Sequence, residues 1–279
     1  MGFSNRTALA TQFNKEAQQG LQSRKVNATA IVAGLFSFWP GTGNPGVGSN
    51  PTIGKANGRV CDRSTTGAIP LQNAASGKEL WLYAARVMGT GSSGANLVMD
   101  RVSDVQVAGD EPTGALTGVT ATSRLEAAGS GIDDYCMCFG EATAATTGGN
   151  TYTLDYVDAD GASKTTPTFT TATTTQVGQG AVATYFWIPP AADSRGFRSL
   201  TNLNKTGGAA TGGSFNIVLA RPILWLPPVV AASSASERDL VSMNVKPRKI
   251  WNDSCLMLLG CSIGATASSY SYELAVVST

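Results

Sequence analysis

Four segments of the chain carry the same pattern of apolar and polar positions. Each begins with an apolar run, continues through a loop of small residues, and ends in a strand where apolar and polar residues alternate. The segments are 80–102, 135–157, 200–219 and 255–276. Alternation with a period of two places one face of a strand against a core and leaves the other in solvent. The pattern therefore predicts about four β-hairpins in an all-β fold, an antiparallel β-sandwich of jelly-roll type.

The start of the chain is predicted to be a helical arm. Over residues 4–22, Leu9, Phe13 and Leu21 fall on one side of a helix, and polar residues occupy the rest. Such a narrow apolar stripe either packs on the chain's own core or grips a neighbouring subunit, and both readings stay open. The second reading makes Leu9, Phe13 and Leu21 candidate assembly contacts.

Turn-forming residues indicate where the chain divides. The stretch 110–114 (DEPTG) follows one predicted hairpin and precedes the other three. We therefore expect an N-terminal arm at 1–25, a first β region at 26–110 and a main β-sandwich at 111–279. A chain of 279 residues is also long enough for one large β domain, and length alone does not decide.

The chain carries little charge for its length. Only 14% of its residues are charged, against about 25% in an ordinary soluble domain, and its net charge is +1. Such a surface is poorly protected against association, so we expect other subunits to cover much of it. The charge balance also argues against direct binding to nucleic acid, which needs concentrated Lys and Arg. The longest apolar stretch, 217–232, contains Arg221 and three prolines and is no membrane span.

Histidine is absent from the whole chain. Its absence removes Ser-His-Asp and Cys-His catalytic arrangements and the commonest metal ligand. A Walker loop is excluded because Ser49 stands where such a loop before Gly54 and Lys55 needs glycine. The stretch 158–161 (DADG) begins like a calcium loop but lacks the distal glutamate, so a turn is predicted there. We expect no catalysis, no cofactor and no metal.

Acidic and aromatic residues offer weaker signals. Asp133, Asp134 and Glu141 border the second predicted hairpin, where paired carboxylates would suit glycoside cleavage. Acidic residues beside apolar strands more often provide solubility, and we favour that reading. The five tryptophans lie mostly inside apolar runs. Core or subunit contacts are therefore favoured, with sugar stacking as the alternative.

The cysteines allow two readings. The chain contains Cys61, Cys136, Cys138, Cys255 and Cys261. They form no C-x-x-C motif, and without histidine they make a poor zinc set. The plain reading is buried apolar thiols. The other is a disulfide between chains, which the odd count favours. Cys61 is the first candidate because the polar segment 59–63 is expected to be exposed, and Cys261 is the second because it lies nearer a hairpin loop than Cys255.

The C-terminal third carries a pattern of four runs. Its parts are ADSRGFRSL at 192–200, FNIVL at 215–219, ERDL at 237–240 and IWNDSCLML at 250–258. In these runs the chain resembles a group of tailed-bacteriophage virion proteins. The resemblance is clearest from about residue 184 to 279.

This resemblance implies a structural part of the particle, a minor capsid or decoration protein, and no site residues carry over. The major capsid protein does not fit, because the usual phage shell fold needs a long spine helix. The implied partners are copies of the chain itself and other virion proteins, above all the major capsid protein. No secretory signal follows Met1, so we expect synthesis in the host bacterial cytoplasm and a final location in the virion. A collar or tail component and a glycan-binding head fibre or adhesin remain alternatives.

Overall fold

A computed structural model describes residues 18–27, 34–90, 93–121, 124–125, 135–144, 149–171, 185–209, 211–229, 235–240, 243, 248–262 and 268–278. Nearly all regular structure in these ranges is antiparallel β-sheet, which confirms the predicted fold class. The strands are β1 (Gln18–Asn27), β2 (Gly34–Ser37), β3 (Thr42–Asn44), β4 (Arg59–Val60), β5 (Leu80–Gly89), β6 (Ser93–Ala108), β7 (Gly114–Ala115), β8 (Met137–Ala144), β9 (Thr151–Asp158), β10 (Ser163–Thr165), β11 (Phe169–Thr170), β12 (Tyr185–Ile188), β13 (Phe197–Gly207), β14 (Ser214–Leu226), β15 (Ala235–Asp239), β16 (Arg248–Ile250), β17 (Leu256–Ser262) and β18 (Ser268–Ser278). No described helix has the length and apolar character of a membrane span.

These strands form three sheets. The first has the order β15-β5-β18-β1-β3, and β16 also pairs with β5. The second, here called the central sheet, has the order β12-β8-β14-β6-β17-β2, and β4 also pairs with β6. The third has the order β10-β9-β13-β7, and β11 also pairs with β9.

The two longest strands of the central sheet, β6 and β14, join two sandwiches. They pair antiparallel along almost their whole length. At one end, Val98 and Leu224 enter a first core shared with the first sheet. At the other end, Val105 and Ile217 enter a second core shared with the third sheet. One sheet therefore serves both sandwiches.

The opposite face of the central sheet encloses a third core. Leu97 and Met99 lie in this core, whereas Val98 between them lies in the first, as alternation along a strand requires. Phe139 and Met257 contribute from neighbouring strands. The two outer strands, β12 and β2, approach within 8 Å of each other. The sheet is thus curled around the third core.

The four repeated segments contain the predicted strands, but the two strands of each segment lie in different sheets. The pairs β5 and β6, β8 and β9, β13 and β14, and β17 and β18 each place one strand in the central sheet. Each segment is therefore a β-arch, whose strands face each other across a core through their side chains. Val87 and Val98 both enter the first core, and Leu203 and Phe215 both enter the second. The predicted hairpin pairing is wrong, because an arch and a hairpin share the same alternation and small-residue turns.

The predicted N-terminal helix does not reach its expected end. Residues 18–22 belong to β1, which pairs with β18 along all ten of its residues. A full ladder on one side outweighs a weak helical stripe, because tertiary pairing routinely overrides local propensity. Residues 1–17 lie outside the described ranges.

The boundary expected near residue 110 falls between β6 and β7. β6 lies before it and pairs with β14 and β17, which lie after it. The regions 26–110 and 111–279 therefore both contribute strands to the central sheet, and their division into domains stays a prediction.

Candidate functional site: buried charges in the central sheet

The curled face of the central sheet holds charged side chains among apolar ones. Arg101 and Asp104 lie on β6, and Glu141 lies on β8. The pairing of β6 with β14 shifts register between Arg101 and Ser103, and such a bulge re-aims side chains. The three charged side chains have at most 1% of their surface exposed. They form a network inside the fold rather than a surface patch.

Arg101 bridges the two carboxylates. Its Nε and Nη2 donate to Oδ2 of Asp104 at 2.9 and 2.6 Å. Its Nη1 and Nη2 each donate to Oε2 of Glu141 at 3.1 Å. The same Glu141 oxygen accepts from Nδ2 of Asn216, on β14, at 3.0 Å. Charge-assisted hydrogen bonds between side chains thus link β6, β8 and β14 in addition to the backbone hydrogen bonds of the sheet.

Arg59, on β4, supplies the fourth charge. Its Nε and Nη2 donate to Oδ1 and Oδ2 of Asp104 at 2.8 and 3.2 Å, and Nη2 also donates to the carbonyl of Ser49 at 2.6 Å. Burial acts to raise the pKa of Asp104, but Arg101 and Arg59 outweigh it and hold that pKa below its ordinary value. Two arginines and two carboxylates balance, so the network carries no net charge.

A second buried ion pair lies beside the first. Nη1 of Arg124 donates to Oδ1 of Asp100 at 2.8 Å, and Nη2 donates to the carbonyl of Cys61. Asp100 accepts in turn from the hydroxyl of Ser254 at 2.8 Å and from the backbone nitrogen of Cys255 at 2.9 Å. This pair therefore joins β6 to the residues that follow β4 and to those that precede β17.

Trp39 covers the first network. Its ring centroid lies 4.5 Å from Cζ of Arg101, and its Nε1 donates to the carbonyl of Ser49 at 3.1 Å. The ring also lies so close to Gly48 that a Cβ at that position would overlap it. Glycine is therefore needed at 48, where the backbone passes against the indole. Trp39 is 1% exposed, so the cover is itself buried.

The two buried ion-pair groups suit a structural role, because they link strands that are far apart in the sequence. Arginines already engage the carboxylates of both ion-pair groups, and the described residues contain no group of three or more side chains placed to bind a metal. A buried charge network is stable only when each member keeps its partners, because an orphaned buried charge is costly. We infer that these residues fix the relative positions of β4, β6, β8 and β14.

Cys61 is buried, contrary to the expectation that its polar surroundings would expose it. Its exposed fraction is 0%, whereas the preceding Val60 is 51% exposed. Pairing with β6 turns Val60 outward and Cys61 into the third core. The prediction was wrong because it assigned the polar neighbour Arg59 to solvent, whereas the Arg59 side chain binds the buried Asp104. A thiol without exposed surface cannot reach another chain unless the fold opens locally.

The other cysteines divide between buried and undescribed positions. Cys136, Cys138 and Cys255 are buried thiols, as the plain reading expects. The side chain of Cys261 lies outside the described residues, and its crosslink to another chain stays a prediction.

Leu21 contacts its own chain. It lies on β1, is partly buried and packs against the first core. Leu9 and Phe13 lie outside the described residues. Their role as assembly contacts, and that of Leu21, stays a prediction.

Sequence reasoning missed the charge network. It placed Glu141 at a solvated border, but Glu141 is 1% exposed. A signal was present, because Glu141 stands two positions after Phe139 on β8 and therefore shares its inward face. The turn predicted at 158–161 is confirmed, since Oδ1 of Asp158 accepts from the backbone nitrogens of Asp160 and Ala162.

Four of the five tryptophans are either buried or exposed, and the fifth, Trp251, is half-buried with its ring centroid 4.0 Å from Nζ of Lys249. Trp39 and Trp81 are buried, as expected for core residues. Trp187, on β12, is 37% exposed, and Trp225, near the end of β14, is 48% exposed. Both exposed rings belong to strands of the central sheet.

Comparisons with known proteins leave the family open. No family model and no curated protein matches the chain. Among solved structures it is similar to VP2 of infectious bursal disease virus in a subviral particle, at 10% identity and a TM-score of 0.18, covering 94% of this chain and 80% of that one. A structure of the Gt strain of that virus gives 11% identity and a TM-score of 0.19, covering 94% and 81%. Similarity at this level carries no argument about what the protein does.

Proposed function

We propose that the chain is a structural subunit of a virus particle and acts through contacts with other protein subunits. The observation that carries the proposal is the exposure of two tryptophans on the central sheet. Trp187 is 37% exposed and Trp225 is 48% exposed. Large aromatic side chains are enriched at the centres of protein interfaces, where covering them yields much of the binding energy.

A sheet edge supports the same proposal. The strand β10 ends the third sheet, has exposed residues at both of its ends, and has one paired neighbour among the described strands. Exposed strand edges invite pairing with another chain unless something covers them. Only 14% of the residues are charged, which leaves little repulsion to oppose association.

The finer proposal is a minor capsid or decoration protein of a tailed bacteriophage. It rests on the sequence resemblance over the C-terminal third. Its partners would be further copies of the chain and the major capsid protein, with the protein located in the virion. In this role the buried charges fix the relative positions of β4, β6, β8 and β14 within the subunit.

Assembly of the purified chain tests the general proposal. Light scattering during size-exclusion chromatography should give masses at multiples of 28.7 kDa that rise with protein concentration. The double variant Trp187→Ser with Trp225→Ser should shift the distribution toward the monomer, because it removes the exposed aromatic surface. Thr201→Ala, at an exposed position on β13, is the matched control and should leave assembly unchanged.

Binding to empty phage shells supplies the second arm of the test. Co-sedimentation that the two tryptophan changes abolish would support a capsid contact. A chain that stays monomeric at high concentration and does not bind shells contradicts the proposal. Loss of binding to immobilised glycans in the same variants, with no loss of assembly, would instead favour the glycan-binding alternative.

A further inference from the structure

The third core brings together two cysteines from distant parts of the chain. Cys61 follows β4 and Cys255 precedes β17, and these two strands pair with the same side of β6. The backbone nitrogen of Cys61 donates to the carbonyl of Val102 at 2.9 Å, and the carbonyl of Cys255 accepts from the backbone nitrogen of Arg101 at 2.9 Å. The two cysteines therefore lie beside consecutive residues of one strand.

This placement meets the α-carbon spacing of a disulfide. The spacing of neighbouring strands and residues sets the two α carbons on the order of 5 Å apart, and disulfides join α carbons about 4.4 to 6.8 Å apart. Cys61 and Cys255 both belong to the third core, so their side chains point to the same face. The Cys61 thiol is also close enough to help raise the pKa of the Cys255 thiol, after the larger effect of burial.

The surrounding hydrogen bonds hold both backbones in place. Arg124 donates to the carbonyl of Cys61 and, at 2.9 Å, to the carbonyl of Asp253. The backbone nitrogen of Cys255 donates to Oδ1 of Asp100, which also binds Arg124. One buried ion pair thus positions the residues on both sides of the cysteine pair, so bond formation requires little backbone movement.

We propose that Cys61 and Cys255 form a disulfide within one chain when the protein meets an oxidant of the disulfide class, such as oxidised glutathione. The thiolate of one cysteine attacks the oxidant and releases one glutathione thiolate. The second cysteine thiolate then attacks the mixed disulfide and releases the other. The two cysteine sulfurs are oxidised, one glutathione disulfide is reduced to two thiols, and the two cysteine protons pass to those thiols. This proposal is independent of the virion role.

Oxidation of the folded protein should be slow. Burial and, after it, contact with the Cys61 thiol raise the pKa of Cys255 well above its ordinary value, which disfavours the reactive thiolate. Both side chains are also 0% exposed, so an oxidant reaches them only after local opening. The pair therefore stays reduced through brief exposure and becomes crosslinked during prolonged exposure.

Peptide mapping of the intact chain tests the proposal. The folded protein is equilibrated with oxidised glutathione, remaining thiols are alkylated, and the unreduced digest is analysed by mass spectrometry. We expect a peptide pair joined through Cys61 and Cys255. We also expect the melting temperature to rise by about 5 to 10 °C, since the bond closes a long loop in the unfolded chain.

Variants separate this bond from other thiol chemistry. Cys61→Ala and Cys255→Ala should each abolish the crosslinked peptide and the shift in melting temperature. Cys136→Ala, which removes a buried thiol from the second core, should leave both intact. The proposal is overturned if the wild-type digest contains no such peptide under conditions that oxidise the denatured chain. A pairing of Cys136 with Cys138, or bonds between chains only, would overturn it equally.

Discussion

Arg101 and Trp39 form a cation–π pair in which the guanidinium carbon lies 4.5 Å from the centre of the indole ring. The Arg101 guanidinium is hydrogen-bonded to the carboxylates of Asp104 and Glu141, and the indole of Trp39 covers its face and excludes water from it. A pair between a charged and an aromatic side chain is worth more when it is desolvated, as it is here. Trp39 therefore both shields the charge network from water and stabilises it through direct contact with Arg101.

The close contact between Trp39 and Gly48 gives the first prediction. Gly48→Ala should destabilise the protein by about 1 to 3 kcal/mol, because the added methyl group overlaps the indole and forces it off the network. Gly46→Ala is the matched control, since its Cβ would meet nothing within 4 Å. Urea denaturation measures the free energy of unfolding of both variants. Equal values would contradict the close packing of Trp39 against Gly48.

Removal of one carboxylate from the network gives the second prediction. Asp104→Asn should lower the free energy of unfolding by about 3 to 5 kcal/mol, because Arg59 and Arg101 lose their shared buried partner. Asp160→Asn is the matched control, because it breaks an exposed pair with Arg195 and should have little effect. Similar losses in both variants would show that burial of the network contributes nothing.

The pKa of Asp104 gives a pH dependence with a definite sign. That pKa is below its ordinary value of about 3.9 in the folded state, so protonation costs more folded than unfolded. The stabilisation is present above about pH 4 and is lost as the pH falls through the folded pKa. The stability difference between wild type and Asp104→Asn should therefore shrink below about pH 4 in urea titrations. A difference that stays constant down to pH 2 would contradict this assignment.

The strands were predictable from the sequence because the signal for a strand is local. In β9 and β18, apolar and polar residues alternate along the strand, which predicts that one face is buried. The structure shows the same alternation of buried and half-buried side chains. The pairing was not predictable in the same way. Whether the chain after β8 turns back beside it or crosses to another sheet depends on distant strands such as β13, which pairs with β9.

The candidate site was hidden for a related reason. Arg101, Asp104 and Glu141 are charged residues in apolar strands, and local pattern assigns such residues to solvent. Their burial becomes favourable only when β6, β8 and β4 meet and each charge finds its partner. The same applies to Cys61 and Cys255, whose proximity depends on strands separated by most of the chain.

Deletion of residues 1–17 tests the N-terminal contact without disturbing β1. We expect the shortened chain to fold, because β1 and its ladder with β18 remain. If Leu9 and Phe13 contact a neighbouring subunit, the deletion should weaken assembly, and Leu9→Ser with Phe13→Ser should reproduce the effect. Removal of residues 1–24 would also delete most of β1 and destabilise the first sheet. Unchanged assembly of the chain lacking 1–17 would exclude an assembly role for Leu9 and Phe13.

Composition of the purified particle tests the central claim most directly. Particles released by cells that carry the genome encoding this chain are banded on a density gradient and washed with high salt, and their proteins are quantified by mass spectrometry. The account predicts that the chain remains in the particle band at a fixed ratio to the major capsid protein. Recovery of the chain only in the soluble fraction, with none in the particle band, would contradict it.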